Sequence, residues 1–198
     1  MLPMTDRHLP TDEELLGRIA AGDRDAFAAL YRRRRPDVYR FALHMCGAHA
    51  TAEDIVQDVF LAVIEHASRF QPERAAAVPW LLGIARNHVR RHQALTWARR
   101  LTTWAPAGTP ATNDPLTDLT QREDILTVQR LIAELPIAYR EAIVLCDLRE
   151  LSYADAAIVL KCAVGTVRSR LHRGRALLAD RLRQHEHLFR TVEVGILT

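Results

Sequence analysis

LSYADAAIVLKCAVGTVRSRLHRGRALL, residues 151–178, is the stretch that decides the fold. Ser152, with Asp155 three residues on, is a helix-start signal in front of the apolar run SYADAAIVLK. The next four residues, Cys162 to Gly165, read as a turn, with Gly165 expected at the N-cap of the helix that follows. A short helix, a tight turn and a longer basic helix make a helix-turn-helix, whose second helix lies in the major groove. On that helix Val167, Leu171, Gly174 and Leu178 share one face and must pack inward, which leaves Arg168, Ser169, His172 and Arg173 opposite. Arginine can make paired hydrogen bonds to guanine, and Ser and His can serve bases or phosphates. From Lys161 to Arg183 there are seven Lys or Arg against one acid, Asp180. A run that basic, directly after a turn of that length, reads as a nucleic-acid surface rather than a merely solvated face.

Working outward, Ile125, Val128, Leu131, Ile132 and Leu135 fall on one helical face, and Pro136 separates them from a helix carrying Ala142, Ile143, Leu145 and Cys146. Thr11 with Glu14, and Thr120 with Glu123, have capping-box spacing. Apolar residues recur at three- and four-residue intervals throughout, and no stretch alternates as a strand would. The expected fold is therefore all-α. Between the halves, LTTWAPAGTPATNDPLTDL (101–119) contains Pro106, Gly108, Pro110 and Pro115 and has little to bury. This organises the chain as two small helical domains, 10–96 and 120–183, joined by a flexible linker, 97–119, with a C-terminal extension, 184–198.

The first half carries the opposite charge pattern. In TAEDIVQDVFLAVIEHASRF (51–70), Ile55, Val59, Ala62, Val63 and Phe70 form the apolar stripe, leaving Asp54, Gln57, Asp58, Leu61 and Glu65 on another face. Between residues 51 and 66 there are four acids and no Lys or Arg. An acidic stripe with a central Leu is unsuited to DNA and suits a basic protein partner. Next, FQPERAAAVPWLLGIARNHVRRHQ (70–93) gives a loop over 71–78 and a helix with Trp80, Leu81, Ile84 and Ala85 inward. Arg86, Asn87, Arg90 and Arg91 are expected outside. A loop of small residues beside a basic helix can hold a base that has left the stack; Trp80 is able to stack on such a base, but the apolar residues after it favour a core anchor at the helix start.

The whole chain of 198 residues is 48% hydrophobic and 26% charged, with a net charge of +3, an ordinary composition for a soluble protein of two small domains. The start, MLPMTDRHLPTDEE, lacks a basic segment followed by an apolar stretch, and no apolar run reaches membrane-spanning length, so neither export nor membrane insertion is expected and the location is cytoplasmic. Cys46, Cys146 and Cys162 are odd in number and far apart, which fits reduced thiols in apolar surroundings. His88 and His92 share a helical face, but Val89 stands where a zinc hydrolase of that spacing needs its Glu, and arginines surround the pair. No catalytic residues, metal or cofactor are expected, and any reaction belongs to a partner.

LSYADAAIVLKCAVGTVRSRLHRGRALL, with its lead-in LPIAYREAIVLCDLRELSY, resembles the C-terminal promoter-binding domain of the extracytoplasmic-function (ECF) group of bacterial RNA polymerase sigma factors. AEDIVQDVF is similar to the helix by which those factors hold the polymerase coiled coil. The resemblance implies an alternative sigma factor that binds core RNA polymerase and directs promoter-specific initiation. It implies polymerase contacts at Asp54, Gln57 and Asp58, and contacts to the minus-thirty-five element at Arg168, Ser169, His172 and Arg173. Loop 71–78 would be the pocket for the minus-ten element of the melted non-template strand, with Asn87 at a family contact position. Arg90 and Arg91 join Asn87 on charge and position. The family also implies an anti-sigma factor as a partner. Lys161 and Cys162 stand where many members have Gly-Cys. Read without the resemblance, the residues also admit a stand-alone helix-turn-helix activator with an N-terminal dimerisation or sensing module.

Overall fold

In the computed structural model of the chain, residues 9–102 and 127–196 are described, with side chains over 9–97 and 127–184. Residues 103–119 of the expected linker, the Thr120 to Glu123 box, Ile125 and the extension's side chains beyond Gln184 lie outside the described residues.

Every regular element among the described residues is helical. Helix α1 (Asp12–Ala20) opens with the expected capping box: Thr11 Oγ1 accepts the Glu14 N–H at 3.2 Å, and Glu14 Oε2 accepts the Thr11 N–H at 2.8 Å. Helix α2 (Arg24–Cys46) is capped by Asp23 and ends at Gly47, whose φ of 71° is the left-handed turn that glycine adopts without a Cβ clash. Helix α3 (His49–His66) runs into a 3-10 turn, Ala67–Arg69, and helix α4 (Ala77–Thr102) completes the first half, so the expected loop 71–78 ends at residue 76 and Ala77 and Val78 are already helical. It continues past residue 96, where the first domain was expected to end.

In the second half, α5 covers residues 127–133 and α6 (Ile137–Ile143) follows Pro136. Helix α6 widens into a π-type turn, Val144–Leu148, and α7 (Tyr153–Leu160) and α8 (Val164–Ile196) complete the described chain. Ser152 caps α7 by accepting the Asp155 N–H at 3.0 Å. Helix α8 begins one residue before the expected cap. The carbonyl of Ala163 accepts from both Thr166 and Val167, so Gly165 is the second helical residue rather than the N-cap, and the turn is Lys161 to Ala163. Local composition favoured Gly at the cap, but the backbone hydrogen bonds put the boundary earlier.

Helix α8 packs against α7 and α6 through its inward face, where Val167 and Leu171 are buried. A Cβ at Gly174 would stand 3.1 Å from Ile143 Cδ1 and 3.2 Å from Tyr139 Cβ, so α8 meets α6 there at the distance glycine allows. The three cysteines are free and half-buried. Burial pushes the Cys46 thiol up to about 11, which keeps it protonated at neutral pH.

The two halves share one apolar core, with α4 packed on α7. The carbonyl of Met45, at the end of α2, accepts from Arg140 Nη1 of α6 at 2.9 Å and from Gln93 Nε2 of α4 at 3.1 Å. Asp37 of α2 pairs with Arg149 just beyond the π-type turn. Burial raises the Asp37 carboxyl, but Arg34 and Arg149 outweigh it and hold the group below its ordinary value. No helix among the described residues is long and apolar enough to cross a membrane.

Lys161 ends α7 in the left-handed region, φ 52° and ψ 50°, a conformation that costs a side-chain-bearing residue roughly 1–2 kcal/mol. Lys161→Gly is expected to raise unfolding stability by about 1 kcal/mol, checked by urea denaturation with an unchanged m-value.

Candidate promoter- and polymerase-binding surfaces

On α8 the expected face is formed. Arg168, Ser169, His172 and Arg173 are exposed on the side opposite Val167, Leu171 and Gly174. The Arg168 guanidinium lies 5.8 Å from the centroid of the Tyr153 ring of α7, a cation-π contact that restrains a long side chain. Arg175, further along the same helix, is paired with Asp147 through hydrogen bonds of 3.0 and 2.5 Å.

Helix α3 presents Asp54, Gln57 and Asp58 to solvent, and Leu61 is 55% exposed. The buried stripe is wider than the sequence indicated, since Val56 and Phe60 join Ile55, Val59 and Val63 while Ala62 and Phe70 are half-buried. Asp58 faces His88 Nδ1 of α4 at 3.3 Å, so one member of the His88 and His92 pair is turned toward α3. Glu53 is held by Arg35 at 2.7 Å. Beside the acids lies a shallow cup of about 320 Å³, floored by Phe27, Tyr31 and Phe60 and rimmed by Asp54, Gln57 and Leu61. The Tyr31 and Phe60 rings meet edge-on at 4.7 Å. Sequence reasoning missed the aromatics that α2 supplies. Their signal was present, because Phe27 and Tyr31 are four apart and share a helical face.

Helix α4 divides the expected basic group. Asn87 and Arg91 are exposed. Arg86, expected outside, is only 6% exposed. Its Nε and Nη2 donate to Glu141 of α6 at 2.8 and 3.2 Å, and its Nη1 to the Val159 carbonyl at 3.4 Å. Arg90 donates to the same carboxylate at 2.7 and 3.0 Å, although its side chain remains 45% exposed. Those hydrogen bonds raise the Arg90 pKa above its ordinary value. Glu141 is 0% exposed and accepts from both guanidiniums, so its burial is compensated on both oxygens. Trp80 is half-buried with its ring 5.4 Å from Phe70, in agreement with an anchoring role.

A helix-turn-helix with an open basic face, joined to a helical half with an acid-rimmed aromatic cup, has the chemistry to meet DNA on one side and a protein on the other. The Sigma-70 region 2 family model matches residues 30–100, and the Sigma-70, region 4 model matches residues 125–178. The chain is 39% identical over 166 residues to the ECF RNA polymerase sigma factor SigC of Mycobacterium tuberculosis, covering 81% of this chain and 86% of that one. With SigM of the same species it shares 37% identity over 178 residues, 87% and 85% of the two chains. Among solved structures, CnrH in complex with the cytosolic domain of CnrY matches with a TM-score of 0.67 at 25% identity, covering 87% of this chain and 97% of that one. The sigma factor RpoE in complex with the anti-sigma factor NepR, from Bartonella quintana, matches with a TM-score of 0.69 at 26% identity over 79% and 96% of the chains. The chain belongs to the ECF group of the sigma-70 family and is an alternative sigma factor.

Removing one partner of a buried ion pair costs about 3–5 kcal/mol. Glu141→Ala strands Arg86 at the junction of the halves and is expected to part them while helicity is kept. The scattering radius of gyration should rise with far-ultraviolet circular dichroism unchanged.

Proposed function

We propose that the acid-rimmed cup on α3 docks core RNA polymerase through Asp54, Gln57 and Asp58, with Leu61 as the central apolar contact. The observation that carries this is an exposed carboxylate stripe above an aromatic floor in a chain of net charge +3. Such a patch steers a basic partner in and gives one of its side chains a place to seat. Arg168, Ser169, His172 and Arg173 read the duplex minus-thirty-five element from the major groove. Loop 71–78 and Asn87, Arg90 and Arg91 take the melted minus-ten strand, the loop holding an extruded base and the cations its phosphates. The domain limits follow this division, 10–96 for polymerase and minus-ten contacts and 120–183 for the minus-thirty-five element.

The pairing of Arg90 with Glu141 adds a step to that scheme. DNA phosphate competes for the guanidinium that the carboxylate holds, so the halves part as the promoter is engaged and Arg86 is uncovered with Arg90. The linker then keeps two modest sites on one chain, where binding at one raises the effective concentration at the other. An anti-sigma factor that favours the closed arrangement would oppose this exchange, and the Bartonella RpoE was solved in complex with an anti-sigma factor, NepR. The protein acts in the cytoplasm, and bond-forming chemistry stays with the polymerase.

Run-off transcription with purified core polymerase on a promoter library tests the reading. Wild-type protein should give promoter-specific transcripts, Asp54→Ala/Asp58→Ala should lose them through weaker polymerase binding, and Arg168→Ala should weaken minus-thirty-five discrimination by about 1–3 kcal/mol. Binding to duplex DNA without any start site on the library would instead indicate a stand-alone activator.

A further inference from the structure

Three consecutive acids open α1, and each has a different partner. Asp12 is buried and pairs with Arg33 at 2.9 Å and with Arg34, fixing α1 to α2. Glu14 closes the capping box of its own helix. Glu13 reaches out of α1, and its Oε1 accepts the N–H of Ala77, the first residue of α4, at 2.9 Å from 64 positions away in the chain. Ala76, which precedes α4, has no side-chain acceptor for the free N–H groups of that helix start. Glu13 therefore serves as the cap that the local sequence lacks. Because it also stands in the first turn of α1, its charge is favourable at two helix N-termini at once.

The segment between Phe70 and Ala77 is held from both sides by α1. The 3-10 turn before it, Ala67–Arg69, packs on α1, and Phe70 is fixed edge-on against Trp80. Inside it, the carbonyl of Gln71 accepts from Arg74 at 3.0 Å and Ala75 at 3.4 Å, folding the chain into a turn with Gln71, Pro72, Glu73 and Arg74 exposed. Loss of the Glu13 contact would release the exit of this loop while leaving its entrance in place.

We propose that Glu13 is a positioning residue for minus-ten recognition, holding residues 71–76 of the expected 71–78 loop in register with α4 so that the base pocket exists before DNA arrives. A pocket already formed spends no binding free energy on ordering its walls. The inference rests on the assignment of loop 71–78 to the minus-ten strand. Helix α1 lies outside the region 2 match at residues 30–100, so the role concerns a segment that the match does not include.

The test uses the full chain with core polymerase and compares wild type, Glu13→Ala and Glu13→Gln, the last retaining an acceptor oxygen at the same reach. The readout is the ratio of open complex, by permanganate reactivity, on a favoured against a base-substituted minus-ten element. Affinities for core polymerase and for minus-thirty-five duplex, and the melting temperature, are measured alongside. Glu13→Ala should lower the ratio about fivefold, in line with loss of one helix cap, with Glu13→Gln within about twofold of wild type and both affinities unchanged. An unchanged ratio in Glu13→Ala overturns the proposal, as does a parallel fall in all measures that Glu13→Gln fails to rescue. Direct loop variants, Gln71→Ala and Glu73→Ala, separate the two levels. If they leave the ratio unaltered, the loop assignment itself fails; if they alter it while Glu13→Ala does not, only the role of Glu13 falls.

Discussion

A single buried carboxylate, Glu141, organises the arrangement of the two halves. It accepts four hydrogen bonds from Arg86 and Arg90 and has no exposure to solvent. In that setting the charge is tolerable only because both oxygens are paired, so α6 and α4 must stay aligned or separate far enough for water to take over. The neighbouring contacts follow from that alignment. Met45 offers its carbonyl to both halves, Asp37 meets Arg149, and α7 lies along α4. His44, beside Arg149 and Arg40, is held below its ordinary pKa first by burial and then by those cations, so at neutral pH it adds no further positive charge to the junction.

Charge is distributed so that each surface has its own use. The carboxylates of α3 face solvent over an aromatic floor, while the cations of α8 lie on the far side of a helix anchored by Val167, Leu171 and Gly174. At α4 a buried carboxylate of one half meets two cations of the other. There Arg90 remains 45% exposed while paired, a poise suited to exchange, whereas Arg86 is sealed in with Glu141. The contact between the halves therefore combines apolar packing with a buried ionic group.

The sequence made α8 legible because a helix's packing face and reading face are both set by 3.6-residue periodicity, and Gly174 marks the close approach to α6. The capping signals of α1 and α7 were equally local, and both caps formed. Arg86 was misread for the complementary reason: periodicity shows which way a side chain points, but nothing near it in sequence reveals a carboxylate 55 residues away. Phe27 and Tyr31 contribute to the cup through tertiary packing with α3, and Glu13 acts on Ala77 across a similar separation in the chain. Lys161 shows the reverse case, a side-chain-bearing residue in a left-handed backbone that glycine would adopt without strain.

If promoter DNA competes with Glu141 for the cations of α4, as proposed, the distance between the halves changes on promoter binding. Fluorophores placed at exposed Arg69 and Ala176 should show a marked fall in energy transfer, relative to the free protein, when core polymerase and promoter DNA are added together. Transfer that stayed unchanged in a complex competent for transcription would contradict the account, because the two halves would then read DNA without parting.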